Sequence, residues 1–173
     1  MKILKQWLPD ILVVILFAVL SYAYFFPAAT EGRILYRHDA SAGRGAGQEQ
    51  TEYLEKTGER TRWTNSLFGG MPTYQITGGL PSGEFRGTLE EIFRAGFSGD
   101  FAIIGVIFAY FFGFFLMLRC FKVNVWLSII GGLAIGFSSY FFLIIPAGHM
   151  TKAVALGFLA PIIGGFHAIF QKR

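Results

Sequence analysis

Residues 101–118 read FAIIGVIFAYFFGFFLML, a run without a single charge, and residues 11–29, 125–147 and 153–170 share its character. A helix needs roughly 17 to 25 apolar residues to cross a hydrocarbon core of about 30 Å, and each of these runs meets that requirement. A soluble domain cannot hide four of them. The composition agrees, at 53% hydrophobic and 17% aromatic with 20 Phe in 173 residues. The sequence therefore predicts an all-α integral membrane protein with four transmembrane helices. Lys2 and Lys5 precede the first run as they would in a secretory leader. Its apolar stretch is longer than a leader's core, which predicts an uncleaved anchor.

Charge placement orients the chain. If four spans alternate, Lys2, Lys5, Arg119, Lys122, Lys172 and Arg173 fall on one side, and the short opposite loop carries only Lys152. The excess of basic residues in short cytoplasmic flanks then predicts cytoplasmic termini, with residues 30–100 and 148–152 extracytoplasmic. Three regions follow: a cytoplasmic start and first span (1–29), a long extracytoplasmic loop (30–100), and three further spans (101–173). Ten of the eleven acidic residues lie between Glu31 and Asp100. The net charge of +4 comes with no separate basic face, so nucleic acid is not an expected partner. Cys120 is the one cysteine and cannot form an internal disulfide. Ser128, Gly132 and Gly136 recur every four residues in the third span, and Ala153 and Gly157 begin a similar stripe in the fourth. Such stripes let helix backbones approach closely, so these spans expect close neighbours and look like part of a larger bundle.

The long loop is dense in specialised residues. His38 and Asp39 follow the first span by about ten residues, and a carboxylate there can act as general base, bind a divalent ion, or stay solvated. The glycines at 43, 45 and 47 match neither a dinucleotide fingerprint nor a phosphate loop and predict a flexible turn. Residues 48–57 predict a short helix, with Glu52 and Lys56 paired at i,i+4 and Gly58 as the stop. WTNSLFGGMPTYQI (63–76) holds Gly69, Gly70 and Pro72 among aromatics, with Asn65 and Ser66 offering hydrogen bonds. It reads either as a tight turn at the membrane interface or as a substrate loop. Residues 88–97 place Leu89, Ile92, Phe93 and Phe97 on one face of an interfacial amphipathic helix, away from Glu90, Glu91 and Arg94. PAGHMTK (146–152) brings His149 and Lys152 to the same side as Asp39, where a cationic pair suits a lipid-linked phosphate.

EYLEKTGERTRWTNSLFGGMPTYQI, with HD before it and PAGHMTK after it, resembles the YfhO family of bacterial membrane proteins over almost the whole chain. Family members are several times longer, so the likeness is to their N-terminal portion. The resemblance implies a GT-C-like N-terminal module, whose long extracytoplasmic first loop carries amphipathic helices. It implies an enzyme of the bacterial inner membrane that moves a sugar from a polyprenyl-phosphate carrier to a cell-envelope acceptor. Asp39 then occupies the place of the catalytic carboxylate, as base or as ligand of a divalent cation, Mg or Mn. His149 and Lys152 would neutralise the departing phosphate, and His38, Asn65, Gly69, Gly70 and Tyr74 would shape the acceptor or carrier groove. Membrane lipid and further transmembrane helices, from the rest of the protein or a partner chain, are the expected partners. The alternative is a non-catalytic membrane scaffold or a helper of lipid-linked-sugar flipping.

Overall fold

The computed structural model describes residues 2–33, 37–75, 84–94 and 102–171. Four apolar helical segments are long enough to cross a membrane: Trp7–Ala28, Ala102–Cys120, Val125–Ala147 and Met150–Gln171. The first lies within α1 (Lys2–Thr30). After it come α2 (His38–Ala46), α3 (Gln48–Thr57) and a small hairpin of β1 (Trp63–Thr64) and β2 (Met71–Pro72). A 3-10 turn and α4 (Glu84–Phe93) precede α5 (Ala102–Cys120), α6 (Val125–Gly136), α7 (Ser139–Ala147) and α8 (Met150–Gln171).

α5 is the axis of the bundle. Its buried positions include Val106, Ile107, Tyr110, Phe111 and Phe115, and α1, α6 and α8 all pack on it. Lipid tails are as apolar as these side chains, so close packing, not escape from water, must hold such helices together. Small residues make that packing possible. A Cβ added at Gly113 would lie 2.8 Å from the Gly157 carbonyl oxygen, and one at Gly164 would lie 2.7 Å from the Met117 Cα. At Gly132 it would meet the Phe111 carbonyl oxygen at 2.8 Å. Ser128, Gly132 and Gly136 are all buried, and so are Ala153, Gly157 and Gly164. Both predicted stripes are therefore helix–helix contacts. Phe17 of α1 enters the space that α6 leaves, with its ring 5.4 Å from Phe111 and 5.7 Å from Phe115. The Tyr110 hydroxyl, buried among apolar groups, donates to the Ala153 carbonyl at 2.7 Å and so leaves no orphan polar atom.

Three sequence expectations change. The third span is not continuous: α6 ends at Gly136, and Ser138 is extended (φ −61°, ψ 132°) before α7 begins. Gly136 lies tight against the Phe111 ring, and a serine follows at a position that favours helix starts. The backbone repairs part of the break locally, Ser138 N–H donating to Ile135 and Phe141 N–H to Ser138. The glycine-rich segment after Asp39 is helical, not a loose turn. Gly43 and Gly45 lie inside α2, which packs against α7, and only Gly47 interrupts the path into α3. Packing thus overrides the helix penalty of about 1 kcal/mol for each glycine. In α4 the apolar face splits. Leu89 and Ile92 are exposed, Phe93 turns inward onto Phe158 at 4.6 Å, and Glu90 with Arg94 is largely covered. Phe97 lies outside the described residues. The 48–57 helix is found as expected, ended by Gly58 at φ +75°.

At the Arg119 end of the bundle, an ion pair not anticipated from the charge pattern ties α1 to α5. Arg119 Nε donates to Asp10 Oδ1 at 2.6 Å, and Nη1 donates to the Val123 carbonyl at 2.6 Å. One guanidinium thus holds the start of α1 and the turn that leads into α6.

Candidate functional site

Asp39 stands in the first turn of α2 at the opposite end of the bundle. Its Oδ2 is 3.5 Å from His149 Nε2, and its Oδ1 is 3.7 Å from His38 Nδ1. Residues 110 positions apart in sequence meet because α7 ends at Gly148. That glycine, at φ +103°, turns the chain so that His149 comes back over α2. All three side chains are at least half exposed. The carboxylate is therefore open to an incoming hydroxyl and flanked by two imidazoles. Lys152 lies one turn into α8 with its ammonium 5.5 Å above the Tyr140 ring, a cation–π arrangement. It is near this corner but directed at the ring.

The WTNSLFGGMPTYQI segment, of which residues 63–75 are described, builds a separate hairpin unit. Its anchor is Glu49 of α3, a residue that the sequence reading passed over. The Glu49 carboxylate accepts the Thr64 hydroxyl, the Asn65 N–H at 2.9 Å and the Ser66 N–H at 3.0 Å. The Thr64 hydroxyl, then these two N–H groups, hold the Glu49 carboxyl below its ordinary range, against partial burial that would raise it. Ser66 Oγ completes the join by donating to the Ala46 carbonyl at 3.1 Å, where α2 ends. No local spacing rule connects Glu49 with a turn fifteen residues on, so only tertiary structure reveals it.

Asn65 accepts the Trp63 indole N–H at 3.3 Å. Gly69 and Gly70 have φ of +72° and +126°, and a Cβ at Gly70 would strike the Trp63 ring at 2.8 Å. The two glycines therefore let the hairpin close under the indole. Phe68 also has positive φ, +53°, yet its ring is 91% exposed, and Tyr74 is exposed beside this turn. Asn65, Gly69, Gly70 and Tyr74 thus belong to the hairpin unit. About seven helical residues of α2, some 10 Å, separate its Ala46 anchor from Asp39. The structure brings Asp39, His38 and His149 together and leaves the hairpin residues as a neighbouring wall.

Comparison with known protein families, characterised proteins and solved structures returns no match. The chemistry of this corner therefore rests on its geometry. Among the described residues, no group of three His, Cys, Asp or Glu stands close enough to hold a metal ion.

Proposed function

We propose that this chain is the N-terminal module of a membrane glycosyltransferase that takes sugar from a polyprenyl-phosphate carrier and gives it to a cell-envelope acceptor. The observation that carries the reading is the approach of His149 to Asp39 at 3.5 Å, at the bundle end opposite Arg119 and Lys122. By charge asymmetry that end is extracytoplasmic and both termini are cytoplasmic, in a bacterial inner membrane. In the reaction, the Asp39 carboxylate takes the proton from the acceptor hydroxyl. The freed oxygen forms its bond to the anomeric carbon as the bond from that carbon to the carrier phosphate breaks. The polyprenyl phosphate leaves with the electron pair. His149 and the Lys152 ammonium offset its charge, and charge stabilisation of this kind is a large part of such catalysis. His38 orients Asp39 from the other side. The hairpin unit, with Asn65, Gly69, Gly70 and Tyr74, forms the wall along which the acceptor or carrier lies. Any divalent cation, Mg or Mn, would meet Asp39 as its protein carboxylate, with the remaining ligands from substrate.

A second reading, a non-catalytic scaffold or flipping helper, is favoured by the exposure of that same Asp39 group. Sugar transfer in proteoliposomes from a decaprenyl-phosphate sugar separates the two. Asp39→Asn preserves shape and removes the base, so the enzyme reading expects a loss of about 100-fold or more, the usual worth of a positioned base. A correctly inserted Asp39→Asn protein with wild-type turnover would overturn it in favour of the scaffold.

A further inference from the structure

Away from Asp39, a cavity of about 500 Å³ opens between α4 and the first half of α8. Leu89, Met150, Val154, Ala155 and Phe158 make its walls largely apolar, and Glu90, Arg94 and Thr151 supply its polar groups. The ion pair is unusual in its setting. Arg94 Nη2 lies 3.0 Å from Glu90 Oε1, and the two side chains are only 14% and 22% exposed. Arg94 Nε is fully shielded and has no acceptor among the described residues. A shielded N–H without an acceptor is costly to leave unmet, so it stands ready for an incoming oxygen.

The level of this cavity matters. Phe93, next to Arg94, stacks on Phe158 and touches Phe112 at 5.5 Å. Those partners lie eight and ten residues from the starts of α8 and α5, or about 12 and 15 Å along each helix. Arg94 itself lines the cavity together with Met150 and Thr151, in the first turn of α8, and with Val154 and Phe158 further along it. Below the cavity α8 presents an exposed apolar stripe, Leu159, Ile162 and Phe166, that continues from Ala155 and Phe158 at helical spacing. A polar head placed at Arg94 would have its tail against this stripe.

From this juxtaposition we infer that the α4–α8 cleft binds a phosphate monoester carried on an apolar lipid tail, with the Arg94 guanidinium taking the phosphate. A guanidinium offers a fixed fork of donors that suits phosphate oxygens, and Glu90 holds that fork in place when the cleft is empty. The inference rests on the transferase reading and adds a second station, where the spent carrier's phosphate sits after it has left His149 and Lys152, and it can be judged without any turnover.

The test is binding of farnesyl phosphate to the full chain in detergent, followed by native mass spectrometry and titration. Farnesol and inorganic phosphate serve as the tail alone and the head alone. Farnesyl phosphate is expected to bind at least about tenfold more tightly than either, and Arg94→Leu to lose that advantage. The double variant Glu90→Gln with Arg94→Gln replaces the ion pair by two neutral amides, so that no covered charge is stranded; it too should lose phosphate selectivity. Glu90→Gln alone removes a competing carboxylate and should bind as tightly as wild type or more so. Farnesol binding as well as farnesyl phosphate, or the neutral pair keeping full phosphate selectivity, overturns the cleft as a phosphate site. Equal binding of inorganic phosphate overturns the lipid as its source. Arg94-dependent binding in a protein without transfer activity would leave the cleft standing and remove the transferase; the reverse pattern would do the opposite.

Discussion

Gly164 and Gly165 are neighbours on α8 with the same chemistry and opposite surroundings. A Cβ at Gly164 would sit 2.7 Å from the backbone Cα of Met117, whereas one at Gly165 would meet nothing within 4 Å. Ordinary contact begins near 3.4 Å, so Gly164→Ala has to push α5 and α8 apart by about 0.7 Å. Backbone cannot rotate away as a flexible side chain would, and overpacking of this kind costs about 1–3 kcal/mol. Both substitutions gain the helix preference of alanine over glycine, about 1 kcal/mol, which cancels when the two variants are compared. Their difference therefore isolates the helix contact. For a chain of this size about 2–4 °C accompanies each kcal/mol, so Gly164→Ala should melt about 2–12 °C below Gly165→Ala. Intrinsic fluorescence during thermal unfolding in mild detergent measures it, and Gly165→Ala should equal or exceed wild type. Equal melting of the two variants would mean that α5 and α8 do not meet at this glycine, and the packing argument would fail.

The Glu49 anchor predicts a pH response. Its folded-state carboxyl titrates below the unfolded value, so its contribution is full above the ordinary carboxylate range and is lost as pH falls through the depressed folded value. Trp63 emission, read in a background with Trp7 and Trp126 changed to Phe, should shift in that acid window, and Glu49→Gln should abolish the shift. Separately, Arg119→Leu strands a mostly covered Asp10 and removes the tie to the Val123 carbonyl. It should lower thermal stability by about 1–3 kcal/mol, with Asp10→Asn in the same chain recovering part of it. A fully additive double variant would show that the pair is not coupled.

The four membrane-spanning segments were legible because lipid imposes a length and a composition that no neighbouring residue can alter: apolar runs of 18 to 23 residues leave few other folds. The small-residue stripes at Ser128, Gly132, Gly136, Ala153 and Gly157 were legible for a related reason, since helical periodicity assigns them to one face before any partner is known. So was the end of α3 at Gly58, where a left-handed residue closes a helix through purely local geometry. Tertiary structure alone decided the rest. The break between α6 and α7 depends on the Phe111 ring packed against Gly136. The helix through Gly43 and Gly45 depends on α7 beside it, and the inward turn of Arg94 depends on the open side of α8. The Asp39–His149 and Glu49–Thr64 meetings join distant positions, and no local periodicity encodes which distant side chains will come to share a corner. Sequence fixes the faces that helices offer; packing selects which faces meet.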